Sequence, residues 1–203
     1  MKLYDCTGAV NPRRIRIFLA EKGIDIDCAQ VDVFKGEQYS EGFTKLNPLK
    51  AVPCLELDDG AVISEAVAIA RYFEATQPEP SLLGKTPKDQ ALVAMWQRRV
   101  EEGLVGAATT FFHHATDGLG EADRYRNKEW GEANKPRVEE TMRWLDQELE
   151  GRDFVAGDTF SFADITALCG VDFAGLFGIS IPADCTHLAA WHARVSERPT
   201  AKA

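Results

Sequence analysis

The stretch Ala51-Val52-Pro53-Cys54-Leu55-Glu56-Leu57-Asp58-Asp59-Gly60-Ala61-Val62-Ile63-Ser64-Glu65-Ala66 decides the fold. Two short apolar runs, residues 54–57 and 61–63, flank Asp58-Asp59-Gly60, a turn signal that joins them as a hairpin. From Glu65 to about residue 75 the apolar positions recur at helical spacing. A helix that starts directly off a strand offers unpaired backbone N–H groups and a positive dipole end, which attract a carboxylate. Glu65, at the same spot, is able to hold an ammonium. An amino acid presents both groups, so the pattern points to a small peptide ligand.

Upstream, residues 2–5 read as a strand. Asn11-Pro12 then reads as a helix start, with Asn11 as the cap and Pro12 in the first helical position. Ile15, Phe18 and Leu19 fall at i, i+3 and i+4, and Gly23 ends the helix. A second strand is expected over residues 27–33. Strand, helix and strand in that order predict a parallel pair with a right-handed crossover. Residues 34–50 are broken by Gly, Lys and Pro and are read as irregular, with one short helix near 38–45.

Downstream, Gln77-Pro78-Glu79-Pro80-Ser81 opens a linker that extends over residues 78–87, because prolines so spaced cannot continue a helix. Helical patterns then cover 88–115, 124–150, 162–177 and 186–197. The predicted architecture is an α/β domain over residues 1–77 and an all-helical domain over 88–203. Ser161-Phe162-Ala163-Asp164 has capping-box form before an apolar run and is read as a buried helix start.

Composition narrows the function. The chain has 203 residues, 45% apolar and 27% charged, with a net charge of −9 and no basic tract, so nucleic acid is an unfavoured partner. No apolar run reaches the ~18 residues of a membrane-spanning helix, and the first residues lack a signal peptide's apolar core. The five cysteines show no ligand or CxxC spacing and read as reduced cytoplasmic thiols. With four histidines and no HExxH, no metal site is expected.

Three motifs, in this order, are similar to those of cytosolic glutathione S-transferases. They are Asn47-Pro48-Leu49-Lys50-Ala51-Val52-Pro53, Ser64-Glu65-Ala66-Val67-Ala68-Ile69-Ala70-Arg71-Tyr72-Phe73, and Phe154-Val155-Ala156-Gly157-Asp158-Thr159-Phe160-Ser161-Phe162-Ala163-Asp164. The resemblance spans essentially the whole chain. It implies a thioredoxin-like N-terminal domain, an all-α C-terminal domain, a homodimer, and glutathione as co-substrate without a metal. It also implies a cis bond before Pro53, which sets the Val52 backbone beside the cysteinyl part of glutathione. Glu65 and Ala66 then meet the γ-glutamyl end, and Lys50 or Arg13 the glycyl carboxylate, or solvent.

Two positions depart from the family pattern. Members commonly carry Ser where Ala66 stands, so a hydroxyl donor to the carboxylate is missing. Near the first helix start, many members place Ser, Tyr or Cys beside the glutathione sulfur. Aligned with bacterial beta-class enzymes, this chain has Val10 in place of their cysteine and Asn11 in place of the following serine. Some bacterial members, the nu-like disulfide-bond reductases among them, use asparagine there, which makes Asn11 the leading catalytic candidate. Its amide N–H can stabilise a thiolate but cannot act as a base; the same side chain is also the expected helix cap. Cys6, as a mixed-disulfide thiol, and Thr7, as a hydroxyl donor, are alternatives in the same loop, while Tyr4 is expected to pack within its strand. By family analogy, Phe111 and His114 wall the site for a second substrate.

The resulting expectation is a cytoplasmic enzyme that activates the glutathione thiol for attack on a small electrophile, peroxide or disulfide in an apolar cleft. A glutathione-dependent disulfide reductase or peroxidase with little conjugating activity is one rival. A non-catalytic binding module of the same fold is the other.

Overall fold

Strand β1 (Lys2–Asp5) lies inside a four-stranded sheet of order β2-β1-β3-β4. It pairs in parallel with β2 (Asp27–Gln30) and antiparallel with β3 (Cys54–Glu56), which forms a hairpin with β4 (Val62–Ser64). Helix α1 (Val10–Lys22) connects the parallel pair, and α3 (Ala66–Thr76) follows β4 and packs against α1. On the other face of β1, Tyr4 meets Phe43 of the short helix α2 (Glu41–Leu46) edge to face, with ring centroids 6.0 Å apart. Leu3, Ile15, Phe18, Leu55, Ile69 and Phe73 are among the buried apolar residues of this α/β layer. The computed structural model describes residues 1–203 and divides them into two compact units. The first is residues 1–80 with 119–122 and 203; the second is 81–118 with 123–202.

The second unit is helical: α4 (Pro87–Val100), α5 (Ala107–Ala115), α6 (Lys128–Glu148), α7 (Phe162–Gly175) and α8 (Thr186–Ser196). Helix α7 is buried along almost its whole length, as a helix apolar on every side must be. Its start is the capping box expected from Ser161 and Asp164. The Asp164 carboxylate accepts from the N–H of Val155 (2.8 Å), the N–H and hydroxyl of Ser161 (3.0 and 3.1 Å) and the Trp191 indole (3.0 Å). Complete burial nevertheless pushes its pKa up to about 6.

Three expectations are corrected. The strand expected over 27–33 stops at Gln30, because the Asp32 carboxylate accepts from the N–H groups of Phe34 and Lys35 and curls the chain into a 3₁₀ turn. Helix α1 begins at Val10, with Ala9 and not Asn11 in the cap position. The helix expected over 88–115 is continuous but carries a π-helical segment, Glu101–Gly106, between α4 and α5. That segment is closely packed. A Cβ on Gly103 would fall 2.7 Å from the Thr141 hydroxyl of α6, and one on Gly170 of α7 would fall 2.8 Å from Leu104. The Thr141 hydroxyl lies within donating distance of two carbonyls, that of Gly103 in the widened turn at 2.9 Å and that of Arg137 in its own helix at 2.8 Å, and shares its one hydrogen between them.

Candidate functional site

Strand register brings three parts of the chain to one end of the sheet. Cys54 pairs with Tyr4 on one side and with Ser64 on the other, so the three residues form one row across β1, β3 and β4. Just beyond that row, β1 runs into the loop before α1, β3 is entered from Val52-Pro53, and β4 runs into Glu65 and α3. Neighbouring strands are roughly 4.8 Å apart, so the outer two exits are separated by about 10 Å. Asn11, Val52, Pro53, Glu65 and Ala66 are therefore brought to one end of the sheet, on the first unit.

At the first exit, α1 starts without a side-chain cap, because Ala9 has no polar atom to offer. Pro12 contributes no N–H, and Arg13 already donates its N–H to the Ala9 carbonyl. The backbone donors of Val10 and Asn11 are left at the positive end of a 13-residue helix. The Asn11 side chain is relieved of capping and does something else. Its Oδ1 accepts from Nη1 of Arg14 at 2.9 Å, and Arg14 is 1% exposed. A guanidinium has donors only, so it fixes which end of the amide is oxygen and turns the NH2 group the other way.

The preceding loop is held from two sides. Thr7 donates both its N–H and its hydroxyl to Oε1 of Gln30, each at 3.0 Å, and its carbonyl accepts from Arg16 at 3.1 Å. Cys6 is buried, and Thr7 is committed to Gln30, so neither stands open as a thiol or hydroxyl group. The Tyr4 hydroxyl donates to Glu56 at 2.8 Å, which raises its pKa and keeps it neutral.

At the second exit, the Val52-Pro53 bond is cis. Asn47, itself buried, organises the approach: its side chain donates to the Ala51 carbonyl at 2.8 Å and accepts from the Leu49 N–H at 3.2 Å. Lys50 follows with a φ of 57° and its Nζ 5.7 Å from the centre of the Tyr39 ring. Cys54, next to the proline, is fully buried, and burial drives its thiol up to about 11, which removes it as a nucleophile.

The third exit is strained. Glu65 has a φ of 73°, a region that non-glycine residues enter rarely and mostly at functional sites. It occupies the cap position of α3, and its side chain caps nothing. Its carboxylate is exposed, and the N–H groups of the first turn, beginning at the buried Ala66, have no side-chain acceptor.

Phe111 and His114 are on α5 of the helical unit. Phe111 is buried. His114 accepts the Asn127 N–H at Nδ1 (3.1 Å) and packs on Trp130 with centroids 4.6 Å apart, so the neutral ring carries its proton on Nε2. No group of three or more His, Cys, Asp or Glu side chains is placed to hold a metal ion.

Sequence reasoning missed the roles of Arg14, Arg16, Asp5 and Gln30. The available signal was three arginines, Arg13, Arg14 and Arg16, crowded into the first turns of a helix whose N-terminus disfavours cations.

Comparison with known proteins agrees with this layout. The family model for the N-terminal domain of glutathione S-transferases matches residues 10–76, and that for the C-terminal domain matches residues 104–199. Glutathione S-transferase 2 of Saccharomyces cerevisiae is 40% identical over 205 aligned residues, which cover 100% of this chain and 88% of the yeast protein. The crystal structure of Gtt2 from the same yeast superposes with a TM-score of 0.96 at 40% identity, covering 100% of this chain and 99% of that one. A glutathione S-transferase domain-containing protein of Marinobacter aquaeolei VT8 gives a TM-score of 0.96 at 43% identity, covering 98% and 99%.

Proposed function

The chain belongs to the glutathione S-transferase family, an enzyme family with glutathione as co-substrate, and from that premise we propose which residues bind the tripeptide and activate its thiol. An extended tripeptide is roughly 10 Å long, at 3.3–3.6 Å per residue. That length carries the chain from α3 past the entry to β3, with the central side chain left to reach the neighbouring exit at α1. The γ-glutamyl end goes to α3: its carboxylate to the uncapped N–H groups beginning at Ala66, its ammonium to Glu65. The cysteinyl part lies along the Val52 backbone beside Pro53, and the glycyl carboxylate meets Lys50.

This arrangement leaves the sulfur at the start of α1. A free thiol with a pKa of ~8.5 is mostly protonated at neutral pH. The uncapped N–H groups of Val10 and Asn11, the helix dipole and the Asn11 amide NH2 all favour the anion. The thiol proton passes to solvent, since an amide cannot accept it, and the thiolate attacks a small electrophile, peroxide or disulfide. The Asn11–Arg14 hydrogen bond carries this reading, because it aims the amide as a donor. Lacking a hydroxyl at this position, the site also suits disulfide or peroxide reduction with little conjugation, which is the second reading.

On the helical unit, Phe111 and His114 are proposed as contacts for a small apolar second substrate. A cytoplasmic homodimer is proposed with it, on the five free cysteines and on Phe34 and Leu49, which are exposed on the first unit. No helix is long and apolar enough to cross a membrane. Titration calorimetry of reduced glutathione into the protein, with Glu65→Ala alongside, tests the binding site. The expected result is saturable binding that the substitution weakens at least tenfold; equal affinity in both proteins would remove the tripeptide from this end of the sheet.

A further inference from the structure

The loop between β1 and α1 is pinned by side chains that touch no part of the proposed glutathione site. Asp5, 1% exposed, accepts from Arg16 Nη1 at 2.6 Å through Oδ1 and from Gln30 Nε2 at 2.7 Å through Oδ2. From this hub each partner reaches the loop. Arg16 donates to the carbonyls of Thr7 (3.1 Å) and Cys6 (3.5 Å), and Gln30 accepts the Thr7 N–H and hydroxyl at 3.0 Å. The peptide planes on both sides of Thr7 are thereby fixed by residues from α1 and β2. Little else holds them, since Thr7 and Gly8 are exposed and the loop's own bond runs from the Ala9 N–H to the Cys6 carbonyl at 3.0 Å.

We propose that Asp5, Arg16 and Gln30 form a positioning clamp that keeps the glutathione thiol acidic. The inference rests on the reading above, that the sulfur sits at the start of α1. The clamp holds the carbonyls of Cys6 and Thr7 toward Arg16. The Thr7 carbonyl, once released from Arg16, is free to rotate toward the sulfur, where its negative end opposes a thiolate and raises the thiol pKa, while the Cys6 carbonyl keeps its bond from the Ala9 N–H. Holding the loop also fixes Ala9 and hence the aim of the Val10 and Asn11 donors, and a pre-aimed donor needs no reorganisation when the charge forms. The three residues are positioning residues, not catalytic ones, because none touches the sulfur.

The test is a pH titration of thiolate absorbance for glutathione bound to the wild type, Gln30→Ala and Arg16→Met, with affinity measured in parallel. Cys28→Ser, an exposed change on the same strand, is the control. Gln30 is exposed, so its variant keeps the question answerable if Arg16→Met fails to fold. The clamp predicts affinity within about threefold of wild type and a thiol pKa raised by about half a unit to one unit in Gln30→Ala, with the control unchanged. Restoring the charge with Arg16→Lys should recover part of the shift seen in Arg16→Met. A Gln30→Ala thiol that titrates like the wild type, with binding intact, would overturn the clamp. If the wild type itself binds glutathione without lowering its thiol pKa, thiol activation at α1 fails and the clamp falls with it.

Discussion

Lys22 and Gln77 each donate a side-chain hydrogen to the other's main-chain carbonyl, both at 2.7 Å. The ammonium of Lys22 also donates to the Pro80 carbonyl at 2.8 Å and pairs with Glu74 at 2.7 Å, and its side chain is fully buried. The cation sits in the last turn of α1, where the helix dipole favours it. The ends of α1 and α3 are thus tied together, while their starts stand uncapped at the site.

Lys22→Met should therefore destabilise the protein by about 3 kcal/mol, because the Gln77 and Pro80 carbonyls lose a buried donor and the mostly buried Glu74 carboxylate loses its ion pair with the ammonium. Urea denaturation measures it. A loss below about 1 kcal/mol would mean that water replaces the ammonium at no real cost.

Asn11→Ala should raise the pKa of the bound glutathione thiol by about one unit, the worth of one charge-assisted donor. Affinity should change little. Asn11→Asp should raise it further, since a carboxylate would then face the thiolate. An Asn11→Ala titration that overlays the wild type would leave activation to the helix end alone.

Ala66→Ser should tighten glutathione binding roughly tenfold, because a hydroxyl bond to a carboxylate is worth about 1.5–3 kcal/mol before the cost of ordering. Ala66 is buried at the first helical position, and serine adds a single atom. Calorimetry giving the same affinity for both would show that the carboxylate is already fully served.

Asp164 makes stability pH-dependent with an unusual sign. Its folded pKa, about 6, lies above the ordinary value of 3.8. Its contribution is therefore fully present below pH ~4 and is lost as pH rises through 6, by about 3 kcal/mol in all. Asp164→Asn lacks that titration and sets an NH2 group against the Ser161 donors, so it is less stable throughout. The stability gap between the two proteins should narrow from pH 4.5 to pH 7. A gap that widens would mean the four donors outweigh the burial.

Much of the first unit is legible in its local chemistry. The hairpin at Asp58-Asp59-Gly60, the helix after Glu65 and the turn at Asn47-Pro48 each follow from residues within a few positions. The start of α1 does not. Asn11-Pro12 satisfies the local rules for a cap and a first turn, yet the Ala9 N–H bonded to Cys6 and the side chains holding Thr7 begin the helix two residues earlier. A tight turn backed by bonds from β2 and from farther along α1 overrode the preference of Asn11-Pro12 there, and released Asn11 for another role. The site's supporting residues were hidden for the same reason: Arg14, Arg16 and Gln30 acquire meaning only from what they touch.

The π-helical segment between α4 and α5 acts as a phase buffer. Each residue turns an α-helix by about 100°, so an extra residue in a regular helix would swing everything beyond it by about a quarter-turn. The wider turn over residues 101–106 absorbs such a residue instead, and Phe111 and His114 keep the faces they would have without it. Inserting or deleting one residue in the regular turns on either side has no such buffer and would rotate α5 against α6. Relatives differing by a single residue inside the segment would then present the same faces of α5.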